Sequence, residues 1–114
     1  MSQNNAKGNN AAGGLAAPVT ATTRAVSGTY TVDGSGSDYI LLVDTSAARA
    51  ITLPAATSGR VIVIKDTIGT AETYNITLTR AGSESIEGVA ANRILSTNWG
   101  KWTFVCNGTN WFLI

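Results

Sequence analysis

At 114 residues with a net charge of +1, the chain is sized for one domain and carries no dense basic stripe with which to hold phosphate. Charged residues make up 13% and histidine is absent, which excludes histidine-based triads and metal sites and leaves Thr, Ser, Asn and Gly to cover the surface. No apolar run is long enough to span a membrane, the first residues hold no apolar stretch of the signal type, and the lone cysteine, Cys106, cannot close an internal disulfide. Neither a nucleic acid nor a membrane is therefore an expected partner.

Residues 1–28 are built of Asn, Ala, Gly, Ser and Thr, with no aromatic residue and no acid, and their only charges are Lys7 and Arg24. Such a segment buries too little apolar surface to offset its ordering entropy. It reads as an extended N-terminal arm that gains order by lying across a partner, anchored by Leu15, Pro18, Val19, Arg24 and Val26. From residue 29 the pattern changes to short β-type runs punctuated by Gly, Asn, Asp and Ser. The runs predict strands over Thr29–Val32, Tyr39–Asp44, Ala50–Leu53, Val61–Asp66, Asn75–Thr79, Ser85–Ile86, Ile94–Leu95, Lys101–Cys106 and Trp111–Ile114. Their starts recur about every ten residues, the spacing of a sandwich or barrel. No helix is predicted. The expectation is an all-β domain over residues 29–114, an antiparallel β-sandwich or jelly-roll of eight or nine short strands.

Two predicted strands alternate cleanly. Trp102, Phe104 and Cys106 share one face of Lys101–Cys106, and Ile76 and Leu78 share one face of Asn75–Thr79. Tyr39–Val43, Val61–Ile64 and Trp111–Ile114 do not alternate; they are apolar on both faces. A lone antiparallel sandwich of this size keeps one side of each sheet wet, so the second face of these strands calls for cover from the arm or from another copy of the chain. Tyr39, Leu41, Val61, Val63, Phe112 and Ile114 are the expected subunit-interface residues. Cys106, between Val105 and the terminal hairpin, reads as a small buried hydrophobe.

The acids are Asp33, Asp38, Asp44, Asp66, Glu72, Glu84 and Glu87, and each falls in a turn or at a strand end where exposure is ordinary. None forms a facing pair of the glycosidase kind. Asp33–Asp38 is a Gly/Ser-rich hairpin turn, since an EF-hand would need Gly where Asp38 stands. Asn107-Gly108 marks a tight turn before the terminal strand. Trp102 and Trp111 read as a cross-strand core pair; Trp99, in Asn98-Trp99-Gly100, is the tryptophan left for surface recognition. No catalytic residue, cofactor or metal ligand is expected, and the chain reads as non-enzymatic.

Several segments in order resemble a β module of tailed-phage virion proteins. They are the Tyr39-x-Leu41-x-Val43-Asp44 strand, the Leu53-Pro54-Ala55 corner, the Lys65-Asp66 strand end, the Asn75-Ile76-Thr77 strand, the Ile86-Glu87-Gly88 turn and the Gly108-to-Trp111 turn. The resemblance covers about residues 29–114 and does not reach the arm. It implies a sandwich or jelly-roll module that forms homotrimers on the virion, as capsid decoration (cement) protein or as tail appendage. In the decoration role the arm would clamp neighbouring subunits of the major capsid protein on the phage head. In the alternative, a tail fibre or baseplate appendage, a loop near Trp99 would bind host-surface glycan.

Overall fold

The computed structural model describes residues 20–114. Nine strands are present among them: β1 (Thr23–Val26), β2 (Tyr30–Thr31), β3 (Ile40–Val43), β4 (Arg49–Thr52), β5 (Val61–Asp66), β6 (Ile76–Thr79), β7 (Arg93–Leu95), β8 (Lys101–Cys106) and β9 (Trp111–Leu113). No helix forms among the described residues. The all-β expectation and most of the strand positions hold. Ser85–Ile86 is not a strand; Ile86 alone makes two isolated bridges, to Val89 and to Trp111.

The strands make two sheets, one of five in the order β9-β8-β5-β3-β1 and one of four in the order β2-β4-β6-β7. The expected antiparallel arrangement is not what forms. β1 runs parallel to β3, β3 to β5, β2 to β4 and β4 to β6, and only β8–β9, β5–β8 and β6–β7 are antiparallel. The reason lies in the connections. From β1 to β6 the chain alternates between the sheets at every step, so each strand returns to its own sheet one coil later and in the same direction. A parallel pair needs a crossover, and here a strand of the opposite sheet supplies it in place of a helix. The first half of the domain is thus three stacked coils of two strands each, in the manner of a flattened β-solenoid. β7 and β8 then pair antiparallel with β6 and β5 of the last coil, and β9 turns back antiparallel to β8 at the sheet edge.

The core fills the space between the sheets. Leu41, Val43, Ile62, Ile64, Phe104, Cys106 and Trp111 from the larger sheet meet Ile51, Leu53, Ile76, Leu78 and Leu95 from the smaller, all essentially inaccessible. Full burial of each such aliphatic is worth about 1.5–3 kcal/mol. The alternation expected for Lys101–Cys106 and Asn75–Thr79 is observed, and Cys106 is buried. The terminal hairpin turns at Asn107-Gly108 as the dipeptide requires: Gly108 takes φ 99°, and Asn107 Oδ1 accepts from the Thr109 and Asn110 amides, both at 2.9 Å.

Two expectations change. Trp111 stands opposite Cys106, not Trp102, so the tryptophans do not pair; Trp102 is half-buried and packs edge-on to Phe104 at 5.7 Å. The second concerns the arm boundary. Thr23–Val26 is the edge strand of the five-stranded sheet, aligned with Ile40–Val43, and Val26 is in the core. The folded domain therefore starts before residue 29, and Val26 is not available to a partner. The four-residue strand carries a single core side chain, too little apolar pattern to be read as a strand, and it is held by backbone pairing along an existing edge.

Candidate functional site

Two surfaces carry unusual side chains: the outer face of the five-stranded sheet, and a loop cluster at one end of β5.

The outer face follows from strand register. Val61, Val105 and Phe112 lie opposite one another across β5, β8 and β9. The next row runs from Thr103 through Val63 and Ile40 to Thr23, and the third from Lys101 through Lys65 and Leu42 to Ala25. Val61, Val63, Val105, Ile40 and Leu42 are only half-buried, held by neighbours on their own sheet with nothing among the described residues laid over them; Phe112 is exposed and Ile114 is 76% exposed. The result is an apolar face bordered by a row containing two lysines.

Of the residues expected at a subunit interface, Val61, Val63 and Phe112 stand on this face, Ile114 extends just beyond β9, and Tyr39 is exposed next to the start of β3. Leu41 is corrected: it points between the sheets and is wholly buried in its own chain. Its neighbours Ile40 and Leu42 are the outward pair, and Val105 joins them. The doubly apolar runs held this information, but they did not say which alternate set faces inward. Among the expected arm anchors, Leu15, Pro18 and Val19 lie outside the described residues. Arg24 is folded back onto its own domain, with Nε 2.7 Å from Asp38 Oδ1 and its guanidinium 5.2 Å from the Tyr30 ring centroid.

The opposite outer face is different in kind. Thr31, Thr52 and Thr79 form one row and Ala50, Thr77 and Ile94 the next. Only Ala50 and Ile94 interrupt a hydroxyl-bearing surface.

The loop cluster is organised by Asp66. The sequence places this residue at a strand end where it would be exposed; instead it is inaccessible to solvent. Its carboxylate accepts from the Thr45 hydroxyl at 2.7 Å and from the backbone amides of Ile68 (3.0 Å), Gly69 (2.9 Å), Ala71 (3.1 Å) and Trp99 (2.9 Å). Burial alone would raise this carboxyl, but the hydrogen bonds from Thr45, Gly69, Ile68 and Trp99 outweigh it and hold the group well below the ordinary carboxylate range. The readable signal was Asp66-Thr67-Ile68-Gly69, an aspartate at the mouth of a glycine turn, where an Asx cap forms readily.

One amide on that carboxylate belongs to Trp99. The residue has φ 60°, a left-handed conformation that is an outlier for a bulky side chain, and it is 58% exposed. The indole rests on Gly69, where an added Cβ would fall 2.3 Å from the ring. The Lys65 ammonium donates to the Trp99 carbonyl oxygen and sits 5.9 Å from the ring centroid. Asn98 Oδ1 accepts from the Glu72 amide at 2.8 Å, tying the two loops together. Trp99, the tryptophan expected at the surface, is thus exposed and contacted by Gly69, Lys65 and Asp66.

Asp38 is also buried, against expectation. It accepts from Arg24, from the Tyr30 hydroxyl and from the Asp33 amide at 2.9 Å. Burial opposes its ionisation and these bonds overcome it, leaving its pKa lowered. Tyr30 is pushed up to about 12, by burial first and then by its hydrogen bond to Asp38. Among the described residues, no three acid or cysteine side chains converge as metal ligands. A scan against family models finds no match to this chain, and neither does a search of curated proteins.

Proposed function

We propose that the chain is a structural subunit of a tailed-phage virion that assembles as a homotrimer through the outer face of its five-stranded sheet. In this reading it decorates the head, and its N-terminal residues reach onto the major capsid protein. It acts by adhesion and performs no chemistry of its own.

The observation that supports this reading is the half-buried band of Ile40, Leu42, Val61, Val63 and Val105, continued by exposed Phe112. Contiguous apolar surface of this kind on a domain of low charge marks a protein contact site. The phage assignment rests on the ordered segments from Tyr39 to Trp111 that resemble the virion module.

Sedimentation equilibrium on the full chain should return three times the monomer mass. Val63→Lys should yield a folded monomer by circular dichroism, while Thr77→Lys, on the hydroxyl face, should leave the trimer intact. A wild-type chain that stays monomeric at every concentration overturns the assembly reading. Removal of residues 2–19, which spares β1, should preserve the trimer and abolish co-sedimentation with capsids; undiminished capsid binding overturns the clamp.

A further inference from the structure

We infer that Trp99, Lys65 and Lys101 form a recognition site for an anionic saccharide, one whose sugar ring carries a carboxylate or phosphate.

The first support is the way Trp99 is held. Leaving a tryptophan more than half exposed in a left-handed backbone conformation is costly, and three separate contacts maintain it: the Asp66 carboxylate on its amide, the Lys65 ammonium on its carbonyl, and the bare backbone of Gly69 beneath its ring. Gly69, at φ 87°, leaves the space the indole occupies. A ring fixed by its own backbone loses little freedom when a ligand stacks on it, which is the condition for recognition by a small contact area. The flat, electron-rich face of an indole suits the C–H-bearing face of a pyranose, whose hydroxyls remain at the rim for hydrogen bonding.

The second support is independent of the ring. Lys65 and Lys101 stand directly opposite each other on the antiparallel β5–β8 pair and on the same outer face. Like charges in that position are destabilising. Among the described residues neither lysine forms an ion pair with a carboxylate. Asp66, the nearest acid in sequence, is turned inward and saturated by five donors, and Glu72, across the loop, is engaged by Asn98 at 3.3 Å. An anion placed beside Trp99 would relieve the repulsion between the two ammonium groups. Stacking on the indole would supply orientation and the lysines charge selection.

Lys65 shares its register row with Leu42 at the border of the apolar face, so binding and mass are read together: loss of binding at unchanged mass bears on this site alone, and loss of the trimer with binding intact bears on the assembly reading. The test uses the full chain, with three hexasaccharide probes: one containing glucuronic acid, one phosphorylated, and one neutral of equal length. Binding is read by tryptophan fluorescence and saturation-transfer NMR, and mass by light scattering on the same samples. A single site of this size should give a dissociation constant on the order of 1 mM for the preferred anionic probe, and the neutral probe should bind at least tenfold more weakly. Lys101→Gln should remove most of that preference. Trp99→Asn, chosen because Asn tolerates left-handed φ, should abolish binding of all probes without lowering the melting temperature or changing the mass. The stronger of the two anionic arms identifies the acid group. Equal binding of neutral and anionic probes, unchanged binding by the Trp99→Asn protein, or no signal from any probe at 10 mM overturns the inference.

Discussion

Two aspartates are buried in this domain, and the chain satisfies them by opposite means. Asp38 faces a cation and a phenol: Arg24 from β1 and Tyr30 from β2, with one backbone amide from Asp33. Asp66 faces no cation; four backbone amides and the Thr45 hydroxyl surround it. The difference matches what each must hold. β1 and β2 are the edge strands of the first coil, each paired on one side only, so side chains converging on one charge pin them to the turn that follows. The amides of Ile68, Gly69, Ala71 and Trp99 lie in irregular loops with no strand to pair with, and a carboxylate gathers them. One aspartate fastens strands; the other shapes loops.

The largest effect that would sharpen this contrast is at Asp66. Asp66→Ala should destabilise the fold by about 3–4 kcal/mol in urea denaturation, because several buried amides lose their acceptor at once. It should also release Trp99, seen as a red shift in fluorescence. Asp38→Ala should cost less, about 2 kcal/mol, since its partners Arg24 and Tyr30 can turn toward solvent. Its damage should be local: faster amide exchange in β1 and β2, with β5 and β8 unchanged. Equal exchange throughout would mean that Asp38 supports the whole domain and the contrast is false.

Neither aspartate was readable as buried. A sequence shows an acid at a strand end; it does not show that four amides will converge on it, because the amides belong to residues 68–99 and their approach is a property of the coil stacking. The strands themselves were legible where β-branched and aromatic residues ran for four or more positions, as in Val61–Asp66 and Lys101–Cys106. Their directions were not. Val61–Ile64 reads the same in a parallel or an antiparallel sheet, and only the alternation between two sheets decides. The doubly apolar runs did announce an uncovered face, since Ile40, Leu42, Val61 and Val63 remain partly open. The same runs misassigned Leu41, because a run apolar at every position does not mark which alternate residues turn inward. Trp99 was legible as exposed from its Asn–Gly surroundings, but its support by Gly69 and Asp66 comes from distant parts of the chain.

Acidity tests both aspartates together. Each is held below the unfolded carboxylate value near 4, so on acidification the unfolded chain takes up the proton first. Their contribution is fully present above about pH 4 and lost as pH falls further toward the folded values. Melting temperatures should be level from pH 7 to about pH 4.5 and fall below it. In Asp66→Asn the fall should be shallower than in wild type, the remainder coming from Asp38 and the other carboxylates. An unaltered acid slope in that variant would remove Asp66 from the set of groups held down by the fold.

The smallest expected effect separates the two sites at the opposite end of the pH range, because the Asp38 carboxylate bonds a tyrosine and the Asp66 carboxylate does not. Tyr30 has a folded pKa of about 12 against an unfolded value near 10. Its contribution to stability is therefore complete below pH 10 and is lost as pH rises through 12. Phenolate absorbance near 295 nm should show one tyrosine titrating late, and that late component should disappear in Tyr30→Phe. In Asp38→Ala it should move toward 10, because the hydrogen bond that favours the neutral phenol is gone, though burial keeps part of the shift. Arg24→Gln should move it the other way, upward, since the guanidinium 5.2 Å from the ring favours the phenolate. Asp66→Asn should leave it untouched. A Tyr30 titration that responds to Asp66 would show that the first coil and the Trp99 loops behave as one unit, and the division of labour between the two carboxylates would not stand.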